Sequence, residues 1–159
     1  MNDWMRLALV EAALAVNEVY PYPGVGVVLV KDDEHLLRRA HNGKVGEAHA
    51  EVRVLEELQR GNWDAQGVAL YTNLEPCCNT GLVLSCAEAI VRAGVKEVHI
   101  AMRDPYHLVR GKGIAFLEAA GVKVVYGEME EEARWQNKRY LERFCPSCGW
   151  PLKDGKGVA

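Results

Sequence analysis

The residue types best suited to chemistry fall in two short segments. One is His49-Ala50-Glu51; the other is Pro76-Cys77, with Cys86 nine positions further on. A neutral imidazole and two thiolates form a ligand set that suits Zn²⁺. A structural zinc site takes four protein ligands, whereas three leave a position open, as in a catalytic site. A metal held there brings water within reach of ionisation near neutrality. Glu51 lies two residues beyond His49, so it need not bind the metal and can take up and return a proton. The competing reading is a surface histidine with two inert core thiols, since free Cys often packs as a small hydrophobe. His-x-Glu alone is weak, and so is Pro-Cys alone. Their order, interval and placement on predicted elements together make the signal specific. Cys78 competes with Cys77 as ligand; the preceding Pro76 favours Cys77, and Cys78 reads as a core residue or as support behind the site.

These residues need elements to hold them. Apolar spacing predicts a helix over 3–19, ended by Pro21 and Pro23. Strands are predicted over 25–31 and 35–41, with Asp32-Asp33 between them as a hairpin turn. A helix over 48–60 places His49 at its start, and Gly61-Asn62 stops it. Then come a strand (68–72), a helix (82–93), a strand (95–102), a helix (113–120), a strand (122–126) and a charged helix (128–144). This alternation predicts a layered α/β sheet whose later strands are parallel. Ligands on such sheets lie at strand C-terminal ends and helix N-termini, where the two segments fall. A helix N-terminus also favours thiolate over thiol, which eases metal binding.

Bulk composition narrows the partners. The chain has 159 residues, 49% hydrophobic and 26% charged, the mix of one ordinary domain. Its net charge of −3 disfavours a nucleic-acid partner, which calls for a basic face. No segment approaches the ~18 apolar residues of a membrane helix, so no membrane partner is expected. Asp3, Arg6 and Glu11 interrupt what would be a secretory apolar stretch. Five cysteines in two tight groups suit metal or catalytic use in a reducing cytoplasm better than a disulfide framework.

The two segments follow the pattern of zinc deaminases, His-x-Glu and then Pro-Cys with a further Cys. From about 21 to 141 the chain resembles the deaminase domain of the riboflavin-pathway enzymes, a branch of the cytidine deaminase superfamily. The residues that carry this are Pro21-Tyr22-Pro23-Gly24-Val25-Gly26, Gly46-Glu47-Ala48-His49-Ala50-Glu51, Leu74-Glu75-Pro76-Cys77, Gly81, Cys86, Asp104-Pro105 and Gly111-Lys112-Gly113. Eight residues separate Cys77 from Cys86, as in the riboflavin branch; cytidylate and tRNA adenosine deaminases typically have two. The resemblance implies a three-layer α-β-α sandwich with a five-stranded mixed sheet, and one catalytic zinc on His49, Cys77 and Cys86 with Glu51 as proton shuttle.

The substrate handles depart from that family. Tyr22 stands where an Asn typically holds the pyrimidine ring. Leu82 stands where a basic side chain helps hold substrate phosphate. Losing that charge-assisted hydrogen bond removes about 1.5–3 kcal/mol. His41 matches loosely a histidine that contacts substrate, though one extra residue separates it from His49; an exposed loop histidine is an equal reading. Asn73 could replace the lost ring-holding amide, but a strand-end turn residue is the favoured reading. His107 follows Asp104-Pro105-Tyr106 in a loop that could border the pocket, against a plain exposed loop residue.

The domain expected is 1–144, with 145–159 as a tail. Cys145-Pro146-Ser147-Cys148-Gly149-Trp150 resembles half of a zinc knuckle. A second Zn²⁺ shared across a dimer would complete it, but an exposed thiol pair on a loose tail is the reading preferred. The bifunctional enzymes continue into a reductase domain, whereas this sequence stops after what resembles its linker. The function expected is hydrolysis of an exocyclic amine on a small heterocycle, by a homodimer or higher homo-oligomer. The competing functions are a deaminase acting within nucleic acid, and a zinc-binding accessory protein without turnover.

Overall fold

The computed structural model describes residues 3–63, 65, 67–79 and 84–152. The fold begins with α1 (Trp4–Ala15), whose N-cap Asp3 accepts a hydrogen bond from the Arg6 amide. β1 (Gly26–Lys31) and β2 (His35–His41) form the expected antiparallel hairpin. Asp32 and Asp33 both take left-handed φ, as the central residues of a type I′ turn do. α2 (Ala50–Arg60) and β3 (Val68–Leu74) follow, then α3 (Cys86–Arg92), β4 (Glu97–Met102), α4 (Lys112–Ala119) and β5 (Lys123–Tyr126). α5 (Glu130–Gln136) and α6 (Lys138–Leu141) complete the described elements.

The sheet runs β2-β1-β3-β4-β5. β1 pairs antiparallel with both β2 and β3, and β3, β4 and β5 are parallel. α1 and α5 cover one face; α2, α3 and α4 cover the other. This is the three-layer mixed sheet that the sequence predicts. β1 and β3 lie inside it, covered on both faces, so Val27, Val28, Leu29, Val30 and Leu70 are all fully buried. Their burial supplies the continuous apolar runs by which the strands were legible.

Of the boundaries that differ from the sequence reading, three have a visible reason. α3 starts at Cys86 rather than 82, because Ser85 and Glu88 form a capping box. β3 continues to Leu74, because its pairing with β4 extends to Leu74–Met102. The final helix breaks at Asn137, a buried residue whose side chain turns to hydrogen-bond both the amide and the carbonyl of Gly24.

The C-terminal segment corrects the expectation of a loose tail from 145. Phe144 pairs with Pro151, and the intervening turn docks on the loop after β4. The His107 amide donates to Gly149 O, and the His107 ring stacks on Trp150 at 4.0 Å. The Arg110 guanidinium donates to Pro146 O. The expectation for 153–159 lies outside the described residues. Among those described, no helix is long and apolar enough to cross a membrane.

Candidate active site

Three different elements deliver the three metal-ligand candidates. His49 is the N-cap of α2, with extended backbone and no capping hydrogen bond from its side chain. Cys86 is the first residue of α3, fixed there by the Ser85 cap. Cys77 follows β3, and its carbonyl accepts from the Ala87 amide, which ties its loop to α3. The His49 Nδ1 lies 3.1 Å from Cys86 Sγ and 3.7 Å from Cys77 Sγ. All three donor atoms lie within 4.8 Å of one another.

The three donors are hydrogen-bonded to one another. Cys77 is lowered to about 4, first by a hydrogen bond from the Cys86 thiol and also by His49. Cys86 is pushed up by the bond it donates and by burial. His49 is raised to about 9, chiefly by Cys77. One nitrogen and two sulfurs that crowd this closely, sharing protons at helix N-termini, fit a Zn²⁺ ion that displaces those protons.

Glu51, in the first turn of α2, is buried, and burial raises its carboxyl above the ordinary range. It lies with His49 and Cys77 on the wall of a cavity of about 710 Å³. Tyr20, Tyr22, Tyr140, Arg143 and Phe144 also line it. Asp104 also lines it; burial pushes its carboxyl up to about 6, while Tyr106 N–H and Tyr140 O–H donate to its Oδ1.

Behind the Cys77 loop, Glu75 is buried and receives four backbone amides. Asp104 and Gly111 donate to Oε2; Gly113 and Ile114 donate to Oε1. The carboxylate thus occupies the N-terminus of α4, where the helix dipole favours negative charge. A side chain at Gly113 would run into Pro76 O. Leu74-Glu75-Pro76-Cys77 and Gly111-Lys112-Gly113 therefore lock the loop that carries Cys77 against α4.

The candidate substrate contacts divide. Tyr22 lines the cavity and is half exposed. His41, Asn73 and His107 do not line it. The His41 ring is paired with the buried Glu11 at 3.2 Å. Asn73 is fully buried and bonds Gly26 N–H and Gly24 O, both at 2.9 Å, so its amide serves the fold. His107 packs on Trp150. Leu82 lies outside the described residues. Cys78 packs against the core, away from the ligand trio.

Sequence reasoning gave no site role to Asn79, Asp104 or Arg143, all of which line the cavity. Asn79, two residues past Cys77, could have been found by its proximity to the ligand. Arg143 carried no local signal, because it arrives from the far end of the chain.

A mixed five-stranded sheet with a His/Cys/Cys cluster at helix N-termini defines a class, that of the zinc-site deaminases. Residues 1–102 match the model for the cytidine and deoxycytidylate deaminase zinc-binding region, and the chain belongs to that family. It is 40% identical over 140 residues to the riboflavin biosynthesis protein RibD of Aquifex aeolicus, covering 88% of this chain and 38% of that protein. The diaminohydroxyphosphoribosylamino-pyrimidine deaminase of Buchnera aphidicola is 33% identical over 141 residues, covering 89% of this chain and 93% of its own. The structure of Acinetobacter baumannii RibD matches with a TM-score of 0.79 at 40% identity, covering 87% of this chain and 38% of that one. The chain thus spans well under half the length of the RibD proteins it matches.

Proposed function

We propose that this protein is a zinc-dependent hydrolytic deaminase acting on a small pyrimidine- or purine-type heterocycle. Water replaces the exocyclic amine, the ring carbon becomes a carbonyl carbon, and ammonia leaves. The observation that carries the reading is the convergence of His49 Nδ1, Cys77 Sγ and Cys86 Sγ within 4.8 Å of one another, beside the buried Glu51 and a 710 Å³ cavity. His49 would hold the ion through Nδ1, with both thiolates completing the protein's share. Zinc bound there supplies a Lewis acid that makes hydroxide available near neutrality.

The chain's own residues supply the rest. Glu51, its carboxyl raised by burial, takes a first proton from the attacking water and delivers it to a ring nitrogen, then takes a second from the added hydroxyl group and delivers that one to the departing amine. Tyr22, half exposed on the cavity wall, offers an aromatic side chain against which a substrate ring can pack. The name of the Buchnera relative points to a pyrimidine. The accessory-protein reading leaves a buried acid beside the ligands without a use.

Ammonia release is to be measured with free bases, nucleosides, nucleotides and oligonucleotides. Release from at least one small heterocycle is expected; none from the whole panel overturns the reading. Glu51→Gln should keep fold and zinc content yet lose about 10²–10⁴-fold in turnover. Unchanged turnover in that variant removes Glu51 from the mechanism.

A further inference from the structure

Outside the site at His49, the strongest cluster of ligand-type side chains is the turn Cys145-Pro146-Ser147-Cys148-Gly149-Trp150. Its backbone is closed by two hydrogen bonds: Gly149 N–H to Cys145 O at 2.8 Å, and Cys145 N–H to Trp150 O at 2.9 Å. Gly149 takes left-handed φ, and a side chain there would run into Pro105 O. Inside this turn the Cys145 sulfur lies 3.1 Å from the Ser147 hydroxyl. The turn is held from outside by Arg110, the His107 amide and the His107–Trp150 stack.

Two thiols with two residues between them, fixed by their backbone, have the spacing of a zinc-binding pair. A closed zinc site needs four ligands. Among the described residues, no other His, Cys, Asp or Glu brings a donor atom to this pair. The pair itself faces outward, with Cys148 exposed. A contact about a two-fold axis presents the same patch from both copies, so it would bring two such pairs to one point.

We propose that Cys145 and Cys148 form half of a second zinc site, completed by the same two cysteines of a second copy of this chain. The ion would sit behind a cavity wall, because Phe144, Pro151 and Leu152 on the same turn line the cavity. The inference is independent of the deaminase reading, since it concerns a separate set of ligands.

Zinc per chain is to be measured for protein purified without chelators, in the wild type and in Cys145→Ser/Cys148→Ser. The double variant should carry about half a zinc per chain less than the wild type, one ion per two chains. No loss overturns the site, and loss of a whole equivalent overturns its sharing between copies. A second readout does not depend on how the variant folds. Alkylation of Cys145 and Cys148 in the native wild type, mapped by peptide mass, should be slow with zinc and fast after chelation. Equal rates in the two conditions overturn the proposal.

Discussion

At the scale of single residues, the site's behaviour follows from who shares a proton with whom. Cys86→Ala removes one of the three donors and the group that holds the Cys77 thiolate. It should purify with the His49 site largely empty, counted as metal per chain with Cys145 and Cys148 also replaced. Wild-type zinc in that background removes Cys86 from the ligand set. Asp104 makes a different prediction. Its carboxyl ionises near 3.8 when unfolded and at about 6 when buried in the fold. Between those values the folded protein holds a proton that the unfolded chain has lost. That contribution favours folding at low pH and is lost as pH rises through about 6. Both hydrogen bonds to Asp104 go to Oδ1, an acceptor that an asparagine side chain also presents, so Asp104→Asn keeps them without the charge. Relative to wild type, the variant should gain on the order of 2–3 kcal/mol between pH 4 and pH 7. Denaturant unfolding across that range checks it; parallel stability curves for the two proteins refute it.

At the scale of elements, the Glu75 carboxylate joins the β3 end, the loop after β4 and the start of α4. Glu75→Gln keeps the size but turns an NH₂ group toward two buried backbone amides. Two donors left without an acceptor should cost about 3 kcal/mol. The denaturant midpoint should fall accordingly, and a midpoint within experimental error of wild type would show the four amides to be satisfied some other way. The elements themselves were legible because β1 and β3 are buried on both faces and the later strands alternate with helices. The ligand trio was legible because each member sits at an element end marked by local chemistry: the N-cap of α2, the close of β3 and the Ser85 cap. Asn73 was not legible as a structural residue, since its partners Gly24 and Gly26 lie more than forty positions away. The docked turn at 144–152 was also hidden, because its hold depends on Arg110 and His107 from another loop.

At the scale of the whole molecule, charge bears on substrate choice. Among the described residues, the cavity wall brings Lys44 and Arg143 together with Glu47, Glu51, Glu75 and Asp104, and the chain carries −3 overall. Leu82 offers no cation where the riboflavin branch typically has one. A substrate phosphate would thus meet more carboxylates than cations, and desolvating it poorly paired is costly. A free base or nucleoside should react at least as well as its 5′-phosphate, compared by kcat/KM. Leu82→Arg should move that ratio toward the phosphate ester. A wild-type preference for the phosphorylated compound over every neutral amine would show that Lys44 or Arg143 grips the phosphate.

The bond between Gly24 and Asn137 spans 113 positions of chain. Closing a loop of that length costs more entropy than closing a short one, by an amount that grows slowly with length. The three metal-ligand candidates all lie at or before position 86, while Tyr140, Arg143 and Phe144 lie beyond Asn137. During synthesis, which proceeds from the N-terminus, the growing chain therefore completes its ligand set about fifty residues before it reaches the clasp. The clasp of Asn137 on Gly24 thus brings a cavity wall from the end of the chain to the ligand candidates from its middle.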